Sequence, residues 1–362
     1  MKNTLFVLFT VFCLMACKSK SENTPSENEE ALTTDRQAIK KIDMHAHFQY
    51  PRTYLPEFFD SWNMQATLVD VAHEDSTSIR RSWDKYLAHA QTAPEDFFLC
   101  TSLIGVGIDD PDFATEAIAQ LRSEIASGAQ MVKVWKNFGM VTKDASGNFI
   151  QIDDPRLQPI WDDLKAQGIP VMGHIAEPEQ AWRPLDPNNP HYGYYKNNPQ
   201  YHAYNHPEIP SYETIIAARD HWIENNPELP ILCAHIGSMS HDVDMVATRL
   251  DKYPNMQVEL AARFGDLARQ DSRKVRTFFD TYQDRIMFGS DFGNGRPESE
   301  MTPAEIEDEK EDIMERYETL WRYLSSTDSL VVRGQKTEGL GLPAPILRKV
   351  YHDNAAKFLE LN

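Results

Sequence analysis

Two histidines separated by one residue are the first side chains in the sequence that could carry out chemistry. They are His45 and His47, in a segment that closes the first strand-like stretch after a polar N-terminal region. Side chains alternate between the faces of a strand, so we expect both imidazoles on one face, with Asp43 one step behind them. Two imidazoles at this spacing can bind one divalent ion. Considered alone, the two histidines could also be ordinary polar residues at the end of a strand, with no role in metal binding.

Three more residues of metal-ligand type end later apolar stretches. They are His174, His235 and Asp291. A single histidine at a strand end usually has a structural role. Several ligand-type residues at one edge of a sheet are difficult to explain by packing alone.

Eight apolar stretches are predicted to be strands, separated by segments with helical periodicity. The predicted strands cover residues 39–47, 64–73, 97–104, 130–135, 169–174, 230–235, 256–260 and 286–291. This alternation predicts the α/β class and a (β/α)8 TIM barrel. Active sites of that fold lie at the carboxyl ends of the strands, where the ligand-type residues stand. His73 ends the second predicted strand and is a candidate to support the site.

Local signals predict where three helices begin. Asp110-Pro111 and Asp154-Pro155 each supply a cap and a proline in the first turn, and Gly168 ends the second helix. Thr302-Pro303 with Glu305 has the pattern of a capping box.

The composition limits the classes of partner. The chain has 362 residues, 41% of them hydrophobic, with a formal net charge of -19. Because binding to nucleic acid needs clustered lysine and arginine, this charge argues against a nucleic-acid partner and suits an enzyme of small molecules or sugars. The sequence leaves a homo-oligomer open.

The N-terminus is predicted to direct the protein to the bacterial cell envelope. Residues 1–16 have the pattern of a signal peptide, since the apolar run is too short for a membrane-spanning helix. They end in Leu14-Met15-Ala16-Cys17, which resembles a lipobox and implies that Cys17 is lipidated. Residues 17–36 are predicted to be a flexible tether and residues 37–362 the barrel. Membrane contact would be through the lipid anchor only. Cys100 and Cys233 are predicted to be buried thiols.

Residues 176–210, after the fifth predicted strand, form a long aromatic-rich insertion. We expect it to overhang the strand ends as a lid or wall. Its tyrosines and tryptophan could stack on sugar rings, or could pack on the barrel or on a second subunit.

Five segments together resemble the amidohydrolase superfamily, in particular the amidohydrolase-2 branch that includes aminocarboxymuconate-semialdehyde decarboxylase and related lyases and lactonases. The segments are IDMHAHF at 42–48, IPVMGHIAEP at 169–178, LPILCAHIGS at 229–238, RIMFGSDF at 285–292 and HDNAAKFLEL at 352–361. They span nearly all of the predicted barrel, and as an ordered set they are specific.

The resemblance implies a metal site. By position, the metal ligands are His45, His47, His174 and Asp291, and His235 is an acid/base or substrate contact. Three imidazoles and one carboxylate suit one Zn²⁺ ion, with Mn²⁺ as the alternative. Such an ion lowers the pKa of bound water to about 7 or polarises a carboxylate. His235 or Asp291 would move the proton.

Lys133 occupies the strand-four position at which two-metal relatives carry a carboxylated lysine. Because the branch generally uses one metal, we expect Lys133 to be a substrate contact or an ion-pair partner. Further candidates for substrate binding follow other strands or lie in the insertion. They are Tyr50, Arg52, Trp135, Glu177, Tyr194 and Arg263. For Arg52 and Arg263, a surface ion pair is an equal alternative.

The same apparatus could hydrolyse an ester, lactone or amide, eliminate water next to a carboxylate, or remove CO₂. An envelope location and the aromatic insertion favour cleavage of a C–O bond in an acidic, carbohydrate-derived molecule. Its two forms are dehydration of a uronate-containing oligosaccharide and hydrolysis of a lactone or ester. The alternative reaction is decarboxylation of a small unsaturated or aromatic acid. The non-enzymatic alternative is a surface lipoprotein that only binds glycans.

Overall fold

The structure is a computed structural model that describes residues 35–74 and 79–361. The predicted signal peptide, Cys17 and nearly all of the predicted tether lie outside the described residues. Cys100 and Cys233 are buried and unpaired, as predicted. Among the described residues, no helix combines the length and the apolar content needed to cross a membrane.

The chain folds into a parallel barrel, which confirms the predicted fold class. We number its strands in chain order. They are β1 Lys41–Phe48, β2 Met64–Val69, β3 Phe97–Ser102, β4 Ala129–Val134, β5 Val171–Gly173, β6 Ile231–Cys233, β7 Met256–Glu259 and β8, which has the two halves Ile286–Met287 and Phe292–Asn294. Each strand pairs in parallel with the next one.

The interrupted strand β8 closes the ring. Its first half pairs with β7, and its second half pairs with β1. Between the halves, the Met44 amide donates to the Phe288 carbonyl at 3.0 Å and the Asp291 amide donates to the His45 carbonyl at 2.8 Å. The sequence predicted one continuous strand over 286–291. The structure places Asp291 in the interruption, because its φ of 63° is incompatible with a regular strand.

Most strands are shorter at their carboxyl ends than predicted. β2 ends at Val69, and His73 instead begins a separate two-residue strand that pairs with Ile79–Arg80. The prediction that His73 ends the second barrel strand was therefore wrong. His174 and His235 come one and two residues after their strands, so both lie beyond the strand ends at the barrel mouth, His235 in a one-turn helix.

Helices surround the barrel and follow most of the strands. They are Leu55–Trp62, Trp83–Thr92, Phe113–Ala126, Gln158–Gln167, Tyr192–Asn197, Tyr212–Asn225, Val243–Lys252, Ser272–Tyr282, Pro303–Ser325, Ala344–Arg348 and Asn354–Phe358. One-turn helices lie at Asn137–Met140, Ala234–Gly237 and Phe264–Leu267.

Two of the predicted helix boundaries are confirmed by cap geometry. Gly168 ends Gln158–Gln167 with a φ of 69°, and Thr302 and Glu305 form a full capping box before Pro303–Ser325. The N-cap of Phe113–Ala126 is Asp112 rather than Asp110.

A β-bulge in β1 decides which side chains face the barrel interior. The pairing register with β2 shifts between Asp43 and Ala46. Ile42 and Met44 pack in the inner core while Asp43 bonds outward to Tyr317 of the surrounding helix, and the extra residue of the bulge lets His45 follow Met44 on the inner side. The expectation that Asp43 shares the face of the two histidines was therefore wrong.

Two apolar cores hold the barrel together. The larger lies between strands and helices. The smaller fills the interior below the site, where methionines from β1, β4, β5 and β8 meet Phe358 and Leu359 at the C-terminus. The interior is thus packed at one end, and chemistry is confined to the other.

Candidate metal centre and active site

The barrel mouth gathers the five ligand-type residues that the sequence singled out. The imidazole centroid of His45 lies 5.0 Å from that of His47 and 4.9 Å from that of His235, and His174 lies 4.2 Å from His235. Asp291 Oδ1 is 3.1 Å from His47 Nε2 and 3.7 Å from His45 Nε2. Residues from four different strand ends therefore form one cluster.

Three of these histidines present the same ring nitrogen to the centre. Nδ1 of His45 contacts Glu259 Oε1, and Nδ1 of His47 and of His235 contacts the carbonyl oxygens of Val69 and Ala261, each at 2.8 Å. Because a carboxylate and a carbonyl oxygen only accept, each Nδ1 must carry the proton. Each Nε2 then has a free lone pair, which is the form that binds a metal.

The donor atoms of His45, His47 and Asp291 all lie within 4.8 Å of one another, close enough to share one ion. His174 is outside this tight group, but its buried Nε2 has no hydrogen-bond partner. A buried polar atom without a partner is costly, and it fits a donor that awaits a ligand. The residues present therefore fit a divalent metal ion with imidazole and carboxylate ligands.

Glu259, at the end of β7, is a site residue that the sequence interpretation missed. It is fully buried and also belongs to a compact group with His45 and His235. Its oxygens already accept from His45 Nδ1, from the His235 amide at 2.8 Å and from the Ala261 amide. We therefore assign it to orienting the histidines. The signal was a charged residue inside the apolar run Val258-Glu259-Leu260.

Asp43 fixes two of the four strands that carry the cluster. Its Oδ1 accepts from the amides of His45 and Ser290, each at 3.0 Å, and its Oδ2 accepts from the Tyr317 hydroxyl at 2.6 Å. This buried carboxylate joins β1, β8 and the helix outside them.

Two site residues have strained backbones. His235 has a φ of 57° and Asp291 a φ of 63°, in the left-handed region that residues other than glycine rarely adopt. Each costs about 1 kcal/mol. The hydrogen bonds to Glu259 and to the His45 carbonyl hold these conformations. Strain of this kind is concentrated at functional sites.

Burial sets the charge states at the centre. It lowers the pKa of His45, His174 and His235 well below the usual range, which keeps the imidazoles neutral. Burial opposes the charge of Asp291, but its contact with the His47 imidazole holds the pKa of this carboxyl well below the usual range. Burial also lowers the pKa of Lys133 to about 8. Its Nζ lies 3.4 Å from His45 Nε2.

Two cavities meet at this cluster. We call them the histidine lobe, of about 420 Å³, which includes His45 and His47, and the arginine lobe, of about 400 Å³, which includes Arg263, Arg269 and Arg333. Both are lined by Lys136, His174, Tyr194, His235 and Asp291. The cluster thus stands between two compartments of one cleft, each of a size typical of small-molecule sites.

The predicted substrate-binding residues divide between the lobes and the barrel wall. Lys133, Trp135 and Tyr194 line the histidine lobe, and Glu177, Arg263 and Tyr194 line the arginine lobe. His73 lines the histidine lobe and packs on Trp135 at 4.7 Å.

Arg52 and Tyr50 line neither lobe. The Arg52 side chain is buried and its Nε lies 2.6 Å from Glu309 Oε1, so the ion-pair alternative describes it and the substrate-contact interpretation does not. The Lys85 ammonium lies 5.0 Å from the centre of the Tyr50 ring. The backbone N–H of Tyr50 donates to the side-chain oxygen of Asn294, and the Asn294 side-chain NH₂ donates to the Tyr50 carbonyl.

Lys136 attaches the insertion to the site and was also missed by the sequence interpretation. Its ammonium pairs with Glu177, donates to the Tyr194 hydroxyl at 3.0 Å and lies 3.8 Å from the Tyr201 ring centre. Tyr195, fully buried, contacts the same Glu177 carboxylate at 3.3 Å. The aromatic segment therefore forms a wall shared by both lobes.

The amidohydrolase-2 family model matches residues 35–361, which is nearly the whole described chain. The chain belongs to this amidohydrolase family. Members of the family are enzymes, either lyases or hydrolases. No curated protein matches the sequence significantly.

Solved structures resemble this amidohydrolase at low identity. An uncharacterised TIM-barrel protein from Bordetella bronchiseptica is 16% identical, with a TM-score of 0.51 over 89% of this chain and 99% of that one. A 2,6-dihydroxybenzoate decarboxylase from Rhizobium has 16% identity and a TM-score of 0.49 over the same shares. A dihydroxybenzoic acid decarboxylase from a Polaromonas species, with bound manganese and 2-nitroresorcinol, has 15% identity and 0.49 over 90% and 98%. The likeness to the Bordetella protein, with its TM-score of 0.51, supports the barrel fold.

Proposed function

We propose that this amidohydrolase is a metal-dependent enzyme that cleaves a C–O bond in a small acidic molecule. The observation that carries the proposal is the common orientation of His45, His47 and His235, whose Nδ1 protons are all engaged, so that each Nε2 turns its lone pair towards the cluster. A glycan-binding module has no use for such a cluster at the meeting point of two cavities.

In this proposal His45, His47 and Asp291 hold one divalent ion, and His174 supplies a further donor through its unpartnered Nε2. When bound, a zinc or manganese ion supplies Lewis-acid chemistry, either activating water or polarising a substrate oxygen. Glu259 keeps His45 in the tautomer that can act as a ligand.

His235 is proposed to move the proton. Its Nδ1 is fixed on the Ala261 carbonyl, so its Nε2 is the atom that can take up or deliver a proton. It lines both lobes and therefore faces a substrate in either one. Asp291, held ionised, is the second candidate for this step.

The walls favour an acidic, carbohydrate-derived substrate. Lys133 and Arg263 supply positive charge on either side of the cluster, and Trp135, Tyr194 and Tyr201 supply aromatic surface. Aromatic faces next to charged donors suit a sugar ring that carries a carboxylate. Hydrolysis of a lactone or ester and dehydration of a uronate are the two forms of the reaction.

Decarboxylation of a planar acid is the second candidate. Trp135 and Tyr201 meet edge to face at 5.6 Å on the wall of the histidine lobe. This surface accommodates a flat unsaturated ring as well as it does a sugar.

Metal analysis tests the proposal directly. We expect about one zinc or manganese ion per purified chain, and loss of that ion in His45→Ala. His73→Ala is the matched control, because His73 lines the same lobe without a place in the donor cluster. A folded wild-type chain with no stoichiometric ion, or a His45→Ala variant that keeps it, would reject the proposal.

Product analysis separates the reactions. The metal-loaded protein is mixed in parallel with uronate-terminated oligosaccharides, with aldonolactones and with 2,6-dihydroxybenzoate. Absorbance from a new C=C bond indicates dehydration, release of acid indicates hydrolysis, and release of CO₂ indicates decarboxylation. If only 2,6-dihydroxybenzoate is turned over, decarboxylation replaces C–O bond cleavage as the proposed reaction.

We further propose that the enzyme is anchored in the bacterial cell envelope through Cys17. The support is the sequence Leu14-Met15-Ala16-Cys17, which lies outside the described residues. Labelling with radioactive palmitate should mark the wild-type chain and not Cys17→Ser; equal labelling of both would contradict the anchor.

A further inference from the structure

The arginine lobe collects arginines that form no ion pair with any carboxylate of the described residues. Elsewhere in the described chain, arginines such as Arg52, Arg81 and Arg156 are paired with carboxylates. Within the part of the chain that the structure describes, Arg263 and Arg269 form no ion pair, although both line one cavity of an acidic protein. Arg333, the third arginine of the lobe, likewise forms no ion pair among the residues that the structure describes.

Arg263 is the most constrained of the three. It is only 8% exposed, and its buried Nε has no hydrogen-bond partner among the described residues. A guanidinium that is desolvated in this way needs an acceptor, because a buried donor left unmatched is costly. The open space that it faces is the cavity next to Asp291.

Arg269 and Arg333 approach one another across Gly265. A methyl group built on Gly265 would lie 3.0 Å from Arg333 Cβ and 3.9 Å from Arg269 Nη1. Among residues 35–74 and 79–361, the Arg269 side chain makes one hydrogen bond, from Nη1 to the Gly265 carbonyl at 3.2 Å. The absence of a side chain at Gly265 therefore lets both arginines reach the same part of the lobe.

Arg333 occupies an unusual backbone position. It forms, with Gly334, the two-residue turn of the hairpin Ser329–Val332 and Gln335–Glu338, with φ values of 48° and 79°. Turns of this kind favour glycine, asparagine or aspartate at both central positions. An arginine there is strained, and its side chain is delivered to the cavity wall.

Apart from Asp291 of the metal cluster, the two acidic residues of the lobe already have partners. Glu177 pairs with Lys136. Asp266 lies 3.2 Å from His191 Nε2 and accepts from the Ser240 hydroxyl at 2.6 Å. The arginines therefore dominate the charge that faces the cavity beyond the metal cluster.

We propose that the arginine lobe binds a second anionic group of the substrate, so that the substrate is a dianion. This inference rests on the proposed function, which places the reacting end of the substrate at the metal cluster. Arg269 and Arg333 then determine specificity for the second anionic group. Arg263 lies between that group and the reacting end of the substrate. The shared chemistry is an oxyanion, either a carboxylate or a sulfate-type group, because guanidinium forks match both.

Inorganic sulfate is the first probe. Calorimetric titration of the full-length chain should show saturable binding, with an affinity about tenfold lower in Arg269→Gln and in Arg333→Gln. Arg348→Gln is the matched control, since Arg348 is exposed, unpaired with carboxylates among the described residues and outside both lobes. Equal affinities in all four proteins would overturn the inference.

The titration is repeated on chelator-treated protein. Sulfate binding should persist there, because the three arginines do not depend on the metal. Metal content and sulfate affinity therefore report separately: loss of sulfate binding with one ion retained rejects the lobe alone, and absence of the ion with sulfate binding retained rejects the proposed function.

Competition for the active site connects the lobe to the substrate. Succinate, glutarate, adipate and 4-sulfobutyrate are compared with butyrate as inhibitors of whichever turnover is found, or as displacers of sulfate. At least one dianion should bind about tenfold more tightly than butyrate, and Arg333→Gln should remove that preference. Tighter binding of a dicarboxylate would identify the second group as a carboxylate, and tighter binding of 4-sulfobutyrate would identify it as a sulfate-type group. No dianion preference would contradict the proposal.

Discussion

At the residue scale, the candidate metal centre depends on the side chains that orient the ligands as much as on the ligands themselves. The sequence predicted His45, His47, His174, His235 and Asp291 because imidazoles and a carboxylate at strand ends carry a recognisable pattern, and the structure brings all five together. Glu259 and Lys136 were missed because their roles come from contacts with distant parts of the chain. Glu259 meets His45 across a sequence separation of 214 residues, and no local pattern announces such a contact.

The orienting role of Glu259 gives a prediction at this scale. Glu259→Gln places an amide NH₂ where the carboxylate accepts from two backbone amides and from His45 Nδ1, so at least one hydrogen bond is lost. We expect metal affinity to fall by about 10- to 100-fold, measured by competition with a chromogenic chelator.

Glu309→Gln is the control for that prediction, because Glu309 pairs with Arg52 away from the cluster. Its metal affinity should match that of the wild type. If Glu259→Gln binds metal as tightly as the wild type while remaining folded by circular dichroism, Glu259 does not position the ligand.

At the element scale, the site is made by departures from regular strands. The bulge in β1 turns Met44 and His45 inward, and the interruption of β8 presents Asp291 to His47. Strict alternation of side chains could not predict either one. Caps such as the Thr302 capping box were predictable, because their determinants lie within a few residues of each other.

The close approach of β1 and β8 gives a prediction at this scale. A methyl group on Gly293 would lie 2.3 Å from the His47 carbonyl oxygen, which is backbone and can move only with β1. Gly293→Ala should therefore lower the free energy of unfolding by about 3 kcal/mol, measured by urea denaturation, and weaken metal binding through His47.

Gly295→Ala is the matched control, two residues along the same chain. A methyl group there has no heavy atom within 4 Å. Its stability should stay within about 0.5 kcal/mol of the wild type. Equal stabilities of the two variants would show that β8 is not held against His47 as described.

At the scale of the whole molecule, stability and chemistry occupy opposite ends of the barrel. The ligand-type residues lie at the carboxyl ends of the strands, while Lys41 begins β1 at the other end. Lys41 is fully buried, and its ammonium donates to three carbonyls, those of Arg36, of Ile39 at 2.7 Å and of Trp62 at 2.9 Å. It joins the start of the barrel to the end of its first helix.

The titration of Lys41 should therefore change global stability and leave the metal centre alone. Burial, with a smaller contribution from Arg36, lowers the pKa of Lys41 to about 7, while the unfolded chain keeps the usual value near 10.5. Between these values the unfolded state binds more protons, so stability rises with pH. From pH 7 to 9 the free energy of unfolding should rise by about 1–2 kcal/mol more in the wild type than in Lys41→Met, since the three carbonyls offset part of the burial effect. Both proteins should hold equal metal at pH 7.

Two outcomes would contradict this prediction. Parallel stability curves in urea would show that Lys41 stays charged in the folded protein, and a loss of metal in Lys41→Met would show that the two ends of the barrel are coupled.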